Sequence, residues 1–164
     1  MGEKPRIVLC AGQRLDPPGR EGPFPAALEG AVAGAIAERV AALSPLVGFA
    51  SASAGAEILF GEAVVAAGAP LNIFLPCERE DFIAQYVAPA GGDWVARFEA
   101  LTARAASVEI SCAERLLGDE TLLRFNNQML QGMARIRAEE SGSAAHLLLV
   151  WSAAAAPEPG SPAD

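Results

Sequence analysis

The hydrophobic pattern along the chain alternates between two periods. Four short runs are near-continuously apolar and a fifth has mixed character, which predicts strands at residues 6–11, 46–50, 71–75, 107–111 and 146–151. Between these runs, apolar residues recur at helical spacing. Buried strands that alternate with helices are typical of a parallel sheet covered on both faces. The pattern therefore predicts an α/β fold, a Rossmann-like three-layer sandwich with about five parallel strands.

Three amphipathic helices are predicted between the strands. Their apolar residues are Leu28, Val32, Ile36, Val40 and Leu43 in the first, Trp94, Phe98, Leu101 and Ala105 in the second, and Leu122, Met129, Met133 and Ile136 in the third. Pro25 suits the first turn of the first helix, and Asp119 is a good N-cap for the third. Residues 78–85 are predicted to form a short helix or turn, and residues 88–92 a loop.

The order of the strands is limited by the right-handed crossovers of parallel sheets. We expect the order 3-2-1-4-5, which places strand 1 in the centre of the sheet. In open α/β sheets, ligands bind outside the carboxyl ends of the strands, where the strand order reverses. The sequence therefore predicts a crevice at the carboxyl ends of strands 1, 2 and 4.

Residues 46–76 carry the strongest local signal. They contain a strand, a loop of small residues at 51–55, a helix at 56–67 and a strand that stops at Pro76. This is the length of a minimal βαβ unit. The loop is expected to place backbone N–H groups at a helix N-terminus, which is a favourable position for phosphate or another anion.

The length and composition bound the class of protein. A chain of 164 residues, 52% of them hydrophobic, is long enough to bury a core without disulfides. The mean hydropathy of +0.28 is too high for a disordered chain. We expect one domain over residues 1–156, followed by a flexible, proline-rich tail over residues 157–164.

The charge argues against broad nucleic-acid binding. The formal net charge is −8, whereas phosphate contacts dominate the affinity of proteins for DNA and RNA. No apolar stretch reaches the ~18 residues that a membrane span requires, and the N-terminus lacks the apolar segment of a secretory signal.

The three cysteines do not define a disulfide framework or a metal site. Cys10, Cys77 and Cys112 are widely spaced, without zinc-ligand spacing. An odd number of cysteines cannot pair completely within one chain, so we expect reduced thiols in a cytoplasmic protein. Cys10 is expected in the core, and Cys77 is expected to be exposed near the crevice.

Blocks of residues that follow the predicted strands or lie on the helices carry a family resemblance. They are Gly12, Asp16, Arg20 and Phe24-Pro25; Ser51, Gly55, Glu57, Phe60 and Glu62; Leu75-Pro76, Asp81 and Phe82; Trp94, Arg97 and Phe98; and Asn126 or Asn127. Together they resemble the SLOG superfamily, a Rossmann-like group that includes the Lonely Guy phosphoribohydrolases, DNA-processing proteins and molybdenum-cofactor carriers. The nearest resemblance is to a bacterial branch found ahead of tetratricopeptide-repeat or nucleotide-cyclase regions, and it covers almost the whole chain.

The chain departs from that branch at three places. Gln13 stands where the branch has histidine, and Ser152-Ala153 follow Trp151 where it has Asp-Gly. Residues 159–164 stand where a Gly-Gly-Thr phosphate loop would open one more helix. The Pro-Gly-Gly-x-Gly-Thr-x-x-Glu motif that supports glycosidic cleavage in Lonely Guy enzymes has no match, so the resemblance implies ligand binding more strongly than catalysis.

The candidate ligand-binding residues lie near the predicted crevice or on the long helix. They are Gly12, Gln13, Arg14, Arg20, Ser51, Ser53, Gly55, Glu57, Asp81 and Asn127. Several have plainer interpretations. Gly12 could simply turn the chain, Arg20 could pair with Asp16 to order its loop, and Ser53 is a normal helix N-cap.

The remaining candidates are also open to structural interpretations. Glu57 and Glu62 are weak catalytic candidates, because residues five apart do not share a helix face well; Glu57 favours the helix dipole and suits a ribose hydroxyl or an amine. Asp81 could cap a short helix, and Phe82 could stack on a base or belong to the core. Asn127 could face solvent.

Three functions are compatible with this pattern. The first is a sensor or regulatory domain that binds a nucleotide or nucleotide-derived molecule and signals to a fused or associated repeat, cyclase or effector domain. The second is a hydrolase of the N-glycosidic or phosphate bond of a nucleotide. The third is a protein-interaction platform with a vestigial site. Self-association is expected from alanine-rich helices and from the dimers of related proteins. No metal site is expected.

Overall fold

The structure, a computed structural model, describes residues 6–114, 118 and 120–152. Its strands are β1 (Arg6–Gly12), β2 (Pro45–Ala50), β3 (Leu71–Leu75), β4 (Ser107–Ile110) and β5 (Ala144–Val150). Its helices are α1 (Glu29–Leu43), α2 (Ala56–Ala66), α3 (Arg79–Phe82), α4 (Trp94–Arg104) and α5 (Thr121–Ser141). The predicted α/β fold with five parallel strands is confirmed. Asp119, the predicted N-cap, and the predicted tail lie outside the described residues.

The strand order differs from the prediction. The sheet runs β4-β3-β2-β1-β5 rather than 3-2-1-4-5. Strand β4 pairs with β3 at one edge, and β5 pairs with β1 over its whole length. The short, mixed sequence of β4 is typical of an edge strand, because its side chains are only half-buried or exposed. The order therefore reverses between β1 and β5, not between β1 and β4.

Helices cover both faces of the sheet. On one face, α1, α2 and α4 pack around a core that includes Phe60, Phe82 and Phe98. On the opposite face, α5 packs on β1, β5, β2 and β3. The predicted core stripes of α1 and α4 are confirmed for Ile36, Val40 and for residues 94, 98 and 101. Leu28, at the start of the predicted first stripe, is 46% exposed.

The buried row of α5 is not the predicted one. Asn126, Leu130, Ala134 and Ala138 face the sheet, whereas Met133 and Ile136 are exposed. Small side chains in the buried row let the helix lie close to the strands. The larger apolar side chains therefore lie on a neighbouring face of the same helix.

A charged cluster connects three helices on the other face. Arg97 Nε donates to Glu62 Oε1 (2.9 Å), and Arg97 Nη1 pairs with Glu29 Oε1 (2.5 Å). The Arg97 guanidinium also lies 4.1 Å from the centroid of the Trp94 ring. The two carboxylates raise the pKa of Arg97 above its ordinary value, and the hydrogen bonds that Arg97 donates to Glu62 are the largest cause. The cluster fixes α4 against α1 and α2.

Candidate functional site

A cavity of about 530 Å³ opens at the carboxyl ends of β1, β2 and β5. This volume falls within the range of small-molecule sites. The lining comes from the loop after β1, the loop after β2, the first turn of α2, residues 82–90, the start of α5 and Trp151. The cavity lies at the point where the strand order reverses, as expected for open α/β sheets. Strand β5 takes the place predicted for strand 4.

Most of the candidate residues from the sequence line this cavity. Those on its wall are Gly12, Gln13, Arg14, Arg20, Ser51, Ser53, Glu57 and Asn127. Gly55, Asp81 and Glu62 are not on the wall. Glu62 is engaged by Arg97 between the helices, so the structure separates it from Glu57 and from the cavity. A paired-carboxylate site built from these two residues is therefore excluded.

Two of the glycines are required by close packing rather than by a ligand. A Cβ atom at Gly12 would lie 2.5 Å from the Cβ of Ala56, at the start of α2. A Cβ atom at Gly55 would lie 2.6 Å from the backbone nitrogen of Leu15, and Gly55 has φ of +119°. Both glycines let the loop after β1 lie directly against the N-terminus of α2.

That contact occupies part of the helix N-terminus. The Ala56 N–H donates to Gln13 O (3.2 Å), and the Leu15 N–H donates to Ala54 O (2.9 Å). Gly55, not Ser53, is the N-cap residue, and no side chain caps the helix. The backbone groups at this turn are therefore partly committed to the neighbouring loop, which makes the turn a less open anion site than the sequence predicts.

Glu57 occupies the same turn with a carboxylate of its own. Its Oε2 accepts the backbone N–H of Ser53 (2.9 Å) and the Ser53 hydroxyl (2.7 Å). The side chain is 9% exposed and lines the cavity. Ser53 therefore binds Glu57 instead of capping α2. Ala52, between the two loop serines, has φ of 73°, a strained conformation of the kind that is concentrated at functional sites.

The environment of Glu57 shifts its titration. Desolvation by burial is the largest effect and raises its pKa, while the hydrogen bonds from Ser53 and the charge of Arg14 oppose the rise. The folded state therefore holds the Glu57 proton more tightly than the unfolded chain does. Glu57 therefore adds stability below the pKa of the unfolded chain, about 4.3, and this stability is lost as the pH rises through the folded pKa.

This shift gives a measurable pH dependence. The free energy of unfolding of Glu57→Gln minus that of the natural chain is expected to increase as the pH rises from about 4 to 8. The reason is that the amide does not ionise, so the variant does not lose the stability that the natural chain loses. Urea unfolding across this pH range measures the difference. Glu38→Gln, on the exposed side of α1, is the matched control and should show no such trend. Parallel pH profiles for the natural chain and Glu57→Gln would contradict the prediction.

Ser51 is oriented by a buried asparagine. Asn126 Nδ2 donates to Ser51 Oγ (2.9 Å) and to Phe74 O (2.9 Å), and Asn126 Oδ1 accepts from the Ser111 hydroxyl. Asn126 is 1% exposed. Because Ser51 Oγ accepts here, its own proton points away from Asn126. Asn126 is thus a structural link between α5 and the ends of β2, β3 and β4, and Asn127 is the residue that reaches the cavity wall.

Arginine and aromatic side chains complete the wall. The Arg14 guanidinium lies 5.2 Å from the centroid of the Tyr86 ring, a cation–π arrangement that orients it. Arg20 is exposed on the cavity wall, and its described contacts include no ion pair with Asp16. Asp16 instead accepts the Phe24 N–H at 3.0 Å and orders the loop. The wall therefore offers two guanidinium groups near its mouth.

Two aromatic residues of the lining were not among the sequence candidates. Tyr86 lies on a π-helical turn (Ile83–Val87) after α3, and Trp151 follows β5. Trp151 could have been found because it ends a predicted strand at the same edge as Gly12. Tyr86 could not, since its position depends on how residues 83–90 fold back over the sheet. Phe82, which had two interpretations, is 1% exposed and belongs to the core while touching the cavity.

Gln13 closes the side of the cavity next to β5. Its Oε1 accepts the Ser152 N–H (2.8 Å), and its backbone N–H donates to Val150 O (3.0 Å). Gln13 therefore joins the loop after β1 to the segment after β5.

The cysteines offer no reactive thiol at the cavity. Cys10 is buried, as predicted, and burial raises its pKa well above the ordinary value. Cys77 is also buried, which corrects the prediction of an exposed thiol. Burial and the charge of Asp81 raise the pKa of Cys77 to about 11. Such a thiol is a poor nucleophile near neutral pH.

Within residues 6–114, 118 and 120–152, no group of histidine, cysteine, aspartate or glutamate side chains could hold a metal ion. Within the same part of the chain, no helix is both long and apolar enough to cross a membrane.

The fold and cavity define a Rossmann-like α/β protein with a cleft, lined by both polar and apolar side chains, at its topological switch point. No protein-family model matches the chain, and no curated protein matches its sequence.

Proposed function

We propose that the chain is a sensor or regulatory domain that binds a nucleotide or nucleotide-derived molecule in the cavity. The observation that carries the proposal is the convergence of the Ser51 hydroxyl, the Glu57 carboxylate and the Arg14 guanidinium on one cleft at the strand-order reversal. Hydroxyl and carboxylate groups suit a sugar or base deep in the cavity. Guanidinium groups near the mouth suit phosphate.

We place the chain, within the same proposal, in the SLOG superfamily. The blocks behind this resemblance supply cavity residues after β1 and β2, including Arg20 and Ser51. A neighbouring repeat, cyclase or effector domain would receive the bound state. We expect the segment after β5 to transmit the bound state. In this segment, Trp151 lines the cavity and the Ser152 N–H donates to Gln13, another lining residue.

Thermal shift against ATP, GTP, AMP, NAD, ADP-ribose and cyclic nucleotides tests the proposal. A ligand at 100 times its dissociation constant adds ~2.7 kcal/mol to stability, which is an easily measured rise in Tm. We expect a clear rise with at least one nucleotide. No rise with any of them at millimolar concentration would reject the proposal.

Arg20 gives a sharper test once a phosphorylated ligand binds. Arg20→Ala is expected to weaken binding about tenfold, because it removes a guanidinium that can donate charge-assisted hydrogen bonds to phosphate. Isothermal titration calorimetry measures the change. Arg39→Ala, at an exposed position on α1 away from the cavity, is the matched control and should bind like the natural chain. Equal affinities for all three proteins would remove Arg20 from the site.

A second candidate function is hydrolysis of an N-glycosidic or phosphate bond. Glu57 favours it, since a buried carboxyl with a raised pKa is suited to general acid catalysis. Product formation from the bound nucleotide, measured by chromatography, would support hydrolysis. Product formation that persists in Glu57→Gln would remove Glu57 from the reaction.

A further inference from the structure

We propose that Glu57 recognises a hydrogen-bond donor on the nucleoside part of the ligand, and that the phosphate lies toward the arginines at the cavity mouth. This inference rests on the proposed function and names the chemistry that the inner end of the site selects. The donor is a ribose hydroxyl or the exocyclic amine of a base.

The two oxygens of the Glu57 carboxylate have different surroundings. Ser53 donates two hydrogen bonds to Oε2, and none of the hydrogen bonds described for the chain uses Oε1. The side chain is more than nine-tenths buried and lies on the cavity wall. A buried carboxylate oxygen without a donor is costly, so a ligand that supplies one gains affinity there.

The same geometry disfavours phosphate at the inner end of the cavity. The Ser53 N–H is committed to Glu57, and the Ala56 N–H is committed to Gln13. A phosphate placed on this turn would also lie beside the Glu57 carboxylate, and like charges repel. Among the residues that line the cavity, the positive charges come from the exposed guanidinium groups of Arg14 and Arg20.

The affinities of three nucleotides distinguish the ribose hydroxyls from the exocyclic amine as the donor to Glu57. AMP carries both the ribose hydroxyls and the amine, its 2′,3′-dideoxy form lacks the hydroxyls, and IMP lacks the amine. We expect calorimetry to show AMP binding, with a loss of about tenfold or more for one of the two analogues. A loss with dideoxy-AMP assigns Glu57 to the ribose, and a loss with IMP assigns it to the base.

Glu57→Gln identifies the residue that makes this selection. The amide keeps an acceptor for Ser53 but turns a donor toward the ligand, so AMP binding is expected to weaken about tenfold or more and the difference between the analogues to disappear. Glu38→Gln is the control. If both analogues bind as tightly as AMP, and Glu57→Gln binds AMP as tightly as the natural chain does, the inference is overturned. The proposed function would then still stand. No binding by any nucleotide of the thermal-shift panel overturns both.

Discussion

Replacing Gly55 with alanine is expected to lower the free energy of unfolding by roughly 3 to 5 kcal/mol, which is a large part of the stability of a domain. Two costs combine. Gly55 has φ of +119°, a conformation that side chains rarely adopt, and a Cβ atom would lie 2.6 Å from Leu15 N and 2.8 Å from Gln13 O. Both obstacles are backbone atoms, so no side chain can move aside. Urea unfolding followed by circular dichroism measures the loss.

Gly34 provides the matched control for this experiment. It lies within α1, and a Cβ atom there would meet nothing within 4 Å. Gly34→Ala should therefore raise stability by about 0.5 to 1 kcal/mol, through helix propensity alone. Similar urea midpoints for Gly55→Ala and the natural chain would show that the loop after β1 does not press on α2 as described. Because Gly55 supports the fold, its substitution is not a clean test of ligand binding.

Replacing Asn126 with alanine is expected to cost about 3 kcal/mol. The side chain is 1% exposed and makes three hydrogen bonds, which reach Ser51, Ser111 and the carbonyl of Phe74. Alanine would leave those polar groups in the interior without their partner and would also leave a small cavity. The loss is measured by urea unfolding at neutral pH.

The neighbouring residue Gln128 is the control for Asn126. Gln128 is exposed on the same helix, so Gln128→Ala should change stability by no more than about 0.5 kcal/mol. Asn126→Ala should also weaken nucleotide binding, because Ser51 loses the donor that orients its hydroxyl. A loss of less than about 1 kcal/mol for Asn126→Ala would mean that the three hydrogen bonds contribute little net stability.

Glu57 changes the chemistry that this type of loop is expected to perform. A bare helix N-terminus selects an anion, but here a carboxylate of the same chain occupies that turn, held by Ser53. The inner end of the cavity is therefore suited to ligand groups that donate hydrogen bonds. The guanidinium groups of the exposed Arg14 and Arg20 are suited to an anion. Binding of an uncharged nucleoside, and not phosphate alone, becomes the informative measurement.

Local patterns were sufficient to predict most of the secondary structure. The run at residues 71–75 matches β3, and the small-residue loop before Ala56 opens α2 as expected. These signals depend on neighbouring residues, so the sequence displays them directly. The α5 helix shows where this approach fails. Its large apolar residues suggested one buried face, but the row with Asn126 and Ala134 faces the sheet.

The candidate site was predicted in outline for a similar reason. Residues that follow parallel strands meet at one sheet edge, which brought Gly12, Ser51 and Glu57 to the cavity wall. Tyr86 was missed because its place depends on the path of residues 83–90. Glu62 was a candidate by family resemblance, and its partner Arg97 is 35 residues away in the sequence.

The sequence by itself determined the α/β class, the five strands and the edge of the sheet at which the loops converge, because periodicity and chain direction are local properties. Only the tertiary structure decided the strand order, since β4 and β5 each pair with strands distant in the sequence. It also decided what each polar residue contacts. Asn126 became a buried link and Glu57 a carboxylate on the cavity wall because long-range packing, which no local pattern records, selects the partners of a buried polar group.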